Sequence, residues 1–194
     1  MRDYIVRAAF HNTILKSEHR DTNTFVVDEL GLNNGSIRAD IAVLNGKLVG
    51  YEIKTDKDNL LRLASQVIAY SEIFEQAFII TGNKHLEKIL KLVPEWWGVY
   101  LVEPGLDKMY EFTSFRSAKP NLERNAVSLA RLLWKSELIS LFEVELGHKV
   151  KHHWSKERLN QLLAENVDVD KLGRIVLKVL KNRSGWKTDQ KPLL

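Results

Sequence analysis

The chain has 194 residues, 44% of them hydrophobic and 28% charged, with a formal net charge of +4 and an isoelectric point near 9.2. That balance describes a soluble globular protein with one full core, and no apolar run approaches the roughly 18 to 20 residues that cross a bilayer. Cysteine is absent, which excludes disulfides, thiolate nucleophiles and cysteine-based zinc sites; the opening MRDYIVRAAFHN has no apolar signal region, so a cytoplasmic location is expected.

Apolar positions at Tyr4, Ile5, Ala8, Ile14 and Leu15 predict an amphipathic helix over residues 3–19. TFVVDEL (24–30) is β-rich, and GLNNGS is a turn cluster. Residues 37–44 and 48–55 read as strands joined by Asn45-Gly46, a type I′ hairpin signal. Asp58 is placed as the N-cap of a helix running to Glu75. Its buried stripe is Leu60, Leu63, Val67 and Phe74, and Arg62, Gln66 and Tyr70 form a second stripe at i, i+4, i+8. AFIIT (77–81) has the continuous apolar character of a central strand. A helix over 84–92 is stopped by Pro94, and strands at 98–103 and 108–113 follow. Past a break at Ser114–Pro120 the pattern turns helical, over 123–146, 155–165 and 168–182, with an aperiodic tail from 183. The fold class is α/β: a mixed sheet flanked by helices, over residues 1–116, followed by a basic helical C-terminal region, 117–194.

Charge is divided unevenly. Residues 1–114 hold 13 Lys and Arg against 16 Asp and Glu, net −3, whereas residues 115–194 hold 16 against 9, net +7. On the last helix Lys171, Arg174, Lys178 and Lys181 recur at i, i+3, i+7, i+10 and form one positive face. Such a face is either a contact for a DNA backbone or an ordinary solvated surface.

The chemistry concentrates between Arg38 and Tyr70. Side chains alternate along a strand, so Glu52 and Lys54 share a face while Ile53 points to the core. With Asp40 from the neighbouring strand this gathers two carboxylates and an ammonium, an arrangement that is costly unless a cation joins it. Mg²⁺ or Mn²⁺ suits such a set: it prefers oxygen ligands and takes one or two carboxylates from a protein, here Asp40 and Glu52, with the Ile53 carbonyl as a third oxygen. Such a metal polarises a phosphoryl oxygen and lowers the pKa of an attacking water. Lys54 is positioned to orient that water or stabilise developing negative charge, Gln66 to hydrogen-bond the nucleophile or Lys54, and Tyr70 and Arg62 to reach a phosphate backbone. Arg38 shares a face with Asp40, either touching phosphate or pairing with a site acid.

Asp40, the Glu52-x-Lys54 run and the helix carrying Gln66 and Tyr70 resemble the PD-(D/E)XK nuclease superfamily, with Ala39 where many members have proline. The αβββαβ order of residues 1–114 is similar to that superfamily's restriction-endonuclease-like core. Together with Pro94-Glu95-Trp96-Trp97-Gly98 and Arg131-Leu132-Leu133-Trp134, the stretch resembles a small bacterial and phage family within it. The resemblance implies a metal-dependent hydrolase, a nuclease cleaving phosphodiester bonds, with DNA as the expected partner. It also implies an additional upstream acid, for which Glu29 is preferred and Glu18 in the opening helix competes. A homodimer, or a helicase or ATPase partner, is compatible with this reading, since the chain has no P-loop of its own. A non-cleaving binding module on the same fold is the alternative.

Other features have plainer readings. Asp56 and Asp58 suit a turn and a helix cap, or a second metal. His11 and His19 are expected at the surface, and His152-His153 in a solvated loop or on phosphate. Of Trp96-Trp97, one ring is expected to plug the sheet edge or to stack on a base.

Overall fold

The computed structural model describes residues 2–106, 109–151 and 153–183; His152 and the tail beyond 183 lie outside them. Helix α1 (Asp3–Asn12) leads into β1 (Phe25–Leu32), β2 (Ile37–Leu44), β3 (Leu48–Lys54), α2 (Leu63–Ser71), β4 (Gln76–Thr81), α3 (Asn83–Leu92), β5 (Gly98–Pro104) and β6 (Tyr110–Arg116). The strands form one sheet in the order β1-β2-β3-β4-β5-β6. Pairing is antiparallel from β1 to β3, parallel from β3 through β5, and antiparallel again at β6. Helices α2 and α3 supply the crossovers that parallel strands require.

Each face of the sheet buries a different set of residues. On one side Val6 and Phe10 of α1 pack against Ile41, Val43, Tyr51 and Ile53. On the other, Ala42, Leu44 and Leu48 join Leu63, Val67 and Phe74. The C-terminal helices α4 (Ala126–Arg131), α5 (Lys135–Ser140), α6 (Lys156–Asn166) and α7 (Val169–Asn182) bury Leu129, Leu138, Leu159, Leu163, Leu172 and Val176 in that same core. Asn125, Ser155 and Asp168 cap α4, α6 and α7 by accepting first-turn amide hydrogens.

Several boundaries differ from the sequence expectation for identifiable reasons. The opening helix stops at Asn12, and a 3₁₀ turn at Glu18–Arg20 carries the rest. The hairpin closes through Asn45, Gly46 and Lys47, because Leu44 pairs with Leu48. Gly46 alone has positive φ, at 93°, so this is a three-residue connection rather than a type I′ turn. Asp58 does not cap α2. Its carboxylate accepts from the Thr55 amide and hydroxyl, each at 2.7 Å, and the helix starts five residues later. The expected 123–146 helix is broken at Trp134, whose backbone is extended. Glu137 accepts the freed Trp134 N–H at 2.7 Å, Arg183 pairs with Glu137, and the Arg183 guanidinium lies 4.2 Å from the Trp134 ring centre. Of the Trp96-Trp97 pair, Trp97 is fully buried in the core against Tyr70, just before the inner strand β5.

Candidate functional site

The site sits where two strands part. The β2–β3 ladder ends at Ile41↔Tyr51, one step short of Asp40 and Glu52, while β3 continues beside β4 as far as Lys54↔Thr81. The edge of β3 is therefore open towards β2 in this fork. Asp40 fills it, accepting the Ile53 N–H on Oδ2 at 2.7 Å. In a strand a residue's carbonyl leaves on the same side as its N–H, so the Ile53 carbonyl also faces the fork.

Glu52 is 1% exposed and held on every side. Its Oε1 accepts from Lys54 Nζ and from Gln66 Nε2, and its Oε2 accepts the Tyr70 hydroxyl at 2.7 Å. The same hydroxyl lies 3.1 Å from the Tyr51 carbonyl and accepts the Asp40 N–H at 3.3 Å. Tyr70 thus ties both acids to α2. The i, i+4 spacing of Gln66 and Tyr70 presents both groups to one carboxylate.

A second layer comes from α1, and sequence reasoning missed it. Arg7 donates to Glu29 Oε1 at 2.6 Å and to Asp40 Oδ1 at 3.2 Å, and lies 3.5 Å from Asp3. Asp3, Arg7 and His11 form a polar i, i+4, i+8 stripe beside the apolar Val6 and Phe10; that stripe was the available signal. Glu29 reaches Arg7 from within β1 rather than from its end. The β1–β2 ladder pairs Asp28↔Ile41 and Leu30↔Ala39, leaving Glu29 opposite Asp40. Its φ is +56°, a left-handed conformation unusual for a non-glycine residue and costing of order 1 kcal/mol. Glu18 binds Asn45 Nδ2 at the hairpin instead.

Burial dominates the electrostatics. It pushes the Asp40 carboxyl up to about 8, helped by the facing Glu52 charge and opposed by the Ile53 N–H and Arg7. Burial likewise raises Glu52, against Lys54, Tyr70 and Gln66, and lifts Tyr70 well above the usual phenol range. Asp3 is raised by burial in spite of Arg7. These acids stand close together with less compensation than their ionised forms need.

The remaining predicted residues divide cleanly. Tyr70 is fully buried, so it is not a phosphate contact; it positions the two acids. Arg62 and Arg38 are exposed, and the cation on Asp40 is Arg7 rather than Arg38. Asp56 occupies the turn after β3, its carbonyl accepting from Lys84 Nζ at 2.6 Å. Lys171, Arg174 and Lys178 are exposed on α7. His11 is not a surface residue. It is 7% exposed, with Nε2 at 3.0 Å from Asp28 and Nδ1 at 2.9 Å from His19. The helix ends before His19, and the chain turns back to bring the two rings together at a tilt of 42°.

Asp40, Glu52 and the Ile53 carbonyl are a donor set that suits a hard divalent cation. Polar atoms without partners lie in or beside the site: Asp3 Oδ1, Arg7 Nε, Asp56 Oδ1 and Gln66 Oε1. Yet among the described residues no three His, Cys, Asp or Glu side chains form a group ready to hold a metal. The chain's own cations occupy these acids, with Arg7 between Asp40 and Glu29 and Lys54 on Glu52.

Comparison with known proteins bears on the whole chain. A family model described as Bacteriophage P4 protein cII matches residues 1–191. The chain belongs to the bacteriophage P4 protein cII family. The match includes the sheet, the fork and α7, so the C-terminal helices are part of what the family shares. A relative called Protein cII, from Enterobacteria phage P4, is 28% identical over 158 residues. Those residues are 81% of this chain but 59% of that protein. A solved structure, a protein of unknown function from Silicibacter pomeroyi, aligns at 16% identity with a TM-score of 0.39, covering 70% of this chain and 90% of that one. None of these names states an activity, so functional inference for this cII-family chain comes from its site. Among the described residues no helix is long and apolar enough to cross a membrane.

Proposed function

We propose that the chain is a metal-dependent nuclease hydrolysing phosphodiester bonds, with DNA as substrate. One observation carries this reading: Asp40 and Glu52 face each other at the opening of a strand fork, with Lys54 on Glu52 and the Ile53 peptide between them. A Mg²⁺ or Mn²⁺ ion held by Asp40, Glu52 and the Ile53 carbonyl would supply Lewis-acid polarisation of the phosphoryl group and a water of lowered pKa. The protein's own parts do the rest. Lys54, which donates to Glu52, would present its ammonium to an attacking water or to charge developing on phosphorus. The unpartnered Gln66 Oε1 offers that water an acceptor. Tyr70 fixes the separation of the two acids. Arg62, exposed one turn before Gln66, is placed for the phosphate backbone.

The test is incubation with supercoiled plasmid and with single-stranded DNA in Mg²⁺ or Mn²⁺, then with EDTA. Cleavage that needs metal and disappears in Lys54→Ala supports the nuclease. A folded protein that binds DNA but cuts it under neither metal refutes it and favours the second reading, a binding module on the same fold. That reading has its own support: Arg7 already pairs with Asp40 and Lys54 with Glu52.

A further inference from the structure

Away from the fork, α7 and the turn before β1 enclose a groove of about 460 Å³. Arg174, Lys178 and Lys181 line it from the helix, and Thr22 and Asn23 face them from the turn above Phe25. Lys181 Nζ donates to the Asn23 carbonyl and fastens the two walls together. Among the described residues that line the groove, none is an acid. Asp170, the one acid within α7, is paired with Arg124. Asp21, close to Lys181, directs its oxygens to the Thr24 hydroxyl at 2.7 Å and the Asn23 N–H at 2.9 Å. The opposite face of α7 holds Leu172, Val176 and Leu180 in the core, so the helix cannot rotate to disperse its cations.

We infer that this groove is a binding site for the phosphate backbone of duplex DNA. The cationic stripe runs from Lys171 to Lys181, about 15 Å along a rigid helix, and meets several successive phosphates of one strand. Lys171 continues the stripe outside the groove, and Lys181 joins Arg174 and Lys178 inside it. Groove and fork are linked through β1, whose Phe25 lines the groove and whose Glu29 lies opposite Asp40 at the fork. Along β1, Phe25 at the groove and Glu29 at the fork are about 13 Å apart, a distance one duplex footprint spans. The inference deepens the proposed nuclease reading by naming a second, sequence-independent contact with its substrate.

The experiment measures binding of a fluorescently labelled duplex of about 20 base pairs in EDTA, as a function of NaCl. Three groove cations contribute a slope of about −2.7 in log K against log salt, a loss of about 40-fold between roughly 50 and 200 mM. Arg174→Gln/Lys178→Gln is expected to reduce the slope by about 2 while melting at the wild-type temperature. Lys88→Gln/Lys91→Gln on α3 removes the same charge elsewhere and is expected to keep the wild-type slope. Sodium phosphate at matched ionic strength competes no better than NaCl if the site reads a backbone; stronger competition reassigns the groove to free phosphate. An unchanged slope in the α7 variant, or an equal change in the α3 variant, overturns the inference. The outcome is independent of catalysis. Wild-type slope in Lys54→Ala with loss in the α7 variant upholds the groove even if no metal gives cleavage, whereas cleavage with an unaltered α7 slope rejects the groove and keeps the nuclease.

Discussion

Replacing Asp40 by asparagine gives the most direct test of the site's electrostatics. In the fold the Asp40 carboxyl stays protonated up to about pH 8, because it is buried beside Glu52; the unfolded value is 3.8. Between these values unfolding releases a proton, so rising pH favours the unfolded chain. The slope for one such group is about 1.4 kcal/mol per pH unit. From pH 5 to pH 7 Asp40 therefore costs the wild type about 2 to 3 kcal/mol of stability relative to a non-titrating residue. The carboxamide of Asp40→Asn keeps an acceptor for the Ile53 N–H and has no such titration. Urea unfolding of both proteins at several pH values should show Asp40→Asn gaining on wild type by that amount over the window, or about 5 to 10 °C in melting temperature. Mn²⁺ should flatten the wild-type dependence, because a bound cation stabilises the ionised carboxylate, and should leave Asp40→Asn much less affected. Parallel curves for the two proteins between pH 5 and pH 7 would refute the argument that burial, rather than the Arg7 pair, controls this carboxyl.

Other substitutions probe the neighbouring contacts. Arg7→Gln removes the cation between Asp40 and Glu29, so Mn²⁺ affinity read from thermal shifts should rise about tenfold, equivalent to about 1.4 kcal/mol; weaker binding would mean that Arg7 supports the metal site instead of competing for it. Tyr70→Phe deletes the hydroxyl shared by Glu52 and the Asp40 amide and should cost about 2 kcal/mol in chemical denaturation, whereas a neutral effect would deny Tyr70 its positioning role. Glu29→Gly relieves the positive φ but loses the Arg7 pair. The gain of about 1 kcal/mol from the backbone should survive in an Arg7→Gln background, where no pair remains to be lost.

Much of the fold was legible in the sequence because it rests on local rules. Alternation marked β2 and β3, the apolar run marked β4, and Pro94 ended α3, each within a few residues. Boundaries failed where a side chain took over a backbone group at short range: Asp58 held Thr55 in a turn and delayed α2, and Glu137 captured the Trp134 amide and broke a helix. The convergence of Asp40, Glu52, Lys54 and Gln66 was readable because a hairpin and the next helix bring them together within 27 positions of one another.

The sequence by itself determined the alternation, the hairpin and the helix faces, since these depend on neighbours a few residues away. Only the tertiary structure decided what surrounds the acids. Arg7 and Asp3 are brought to the fork by packing Val6 and Phe10 beneath Ile41 and Tyr51, a contact that no local periodicity encodes. The same holds for Tyr70, whose spacing on α2 suited a phosphate contact until burial turned it inward, and for the groove, whose walls are more than 140 residues apart in the chain. Local propensity sets which face a side chain occupies. Burial, which depends on the whole fold, sets whether that side chain meets water, a partner or a substrate.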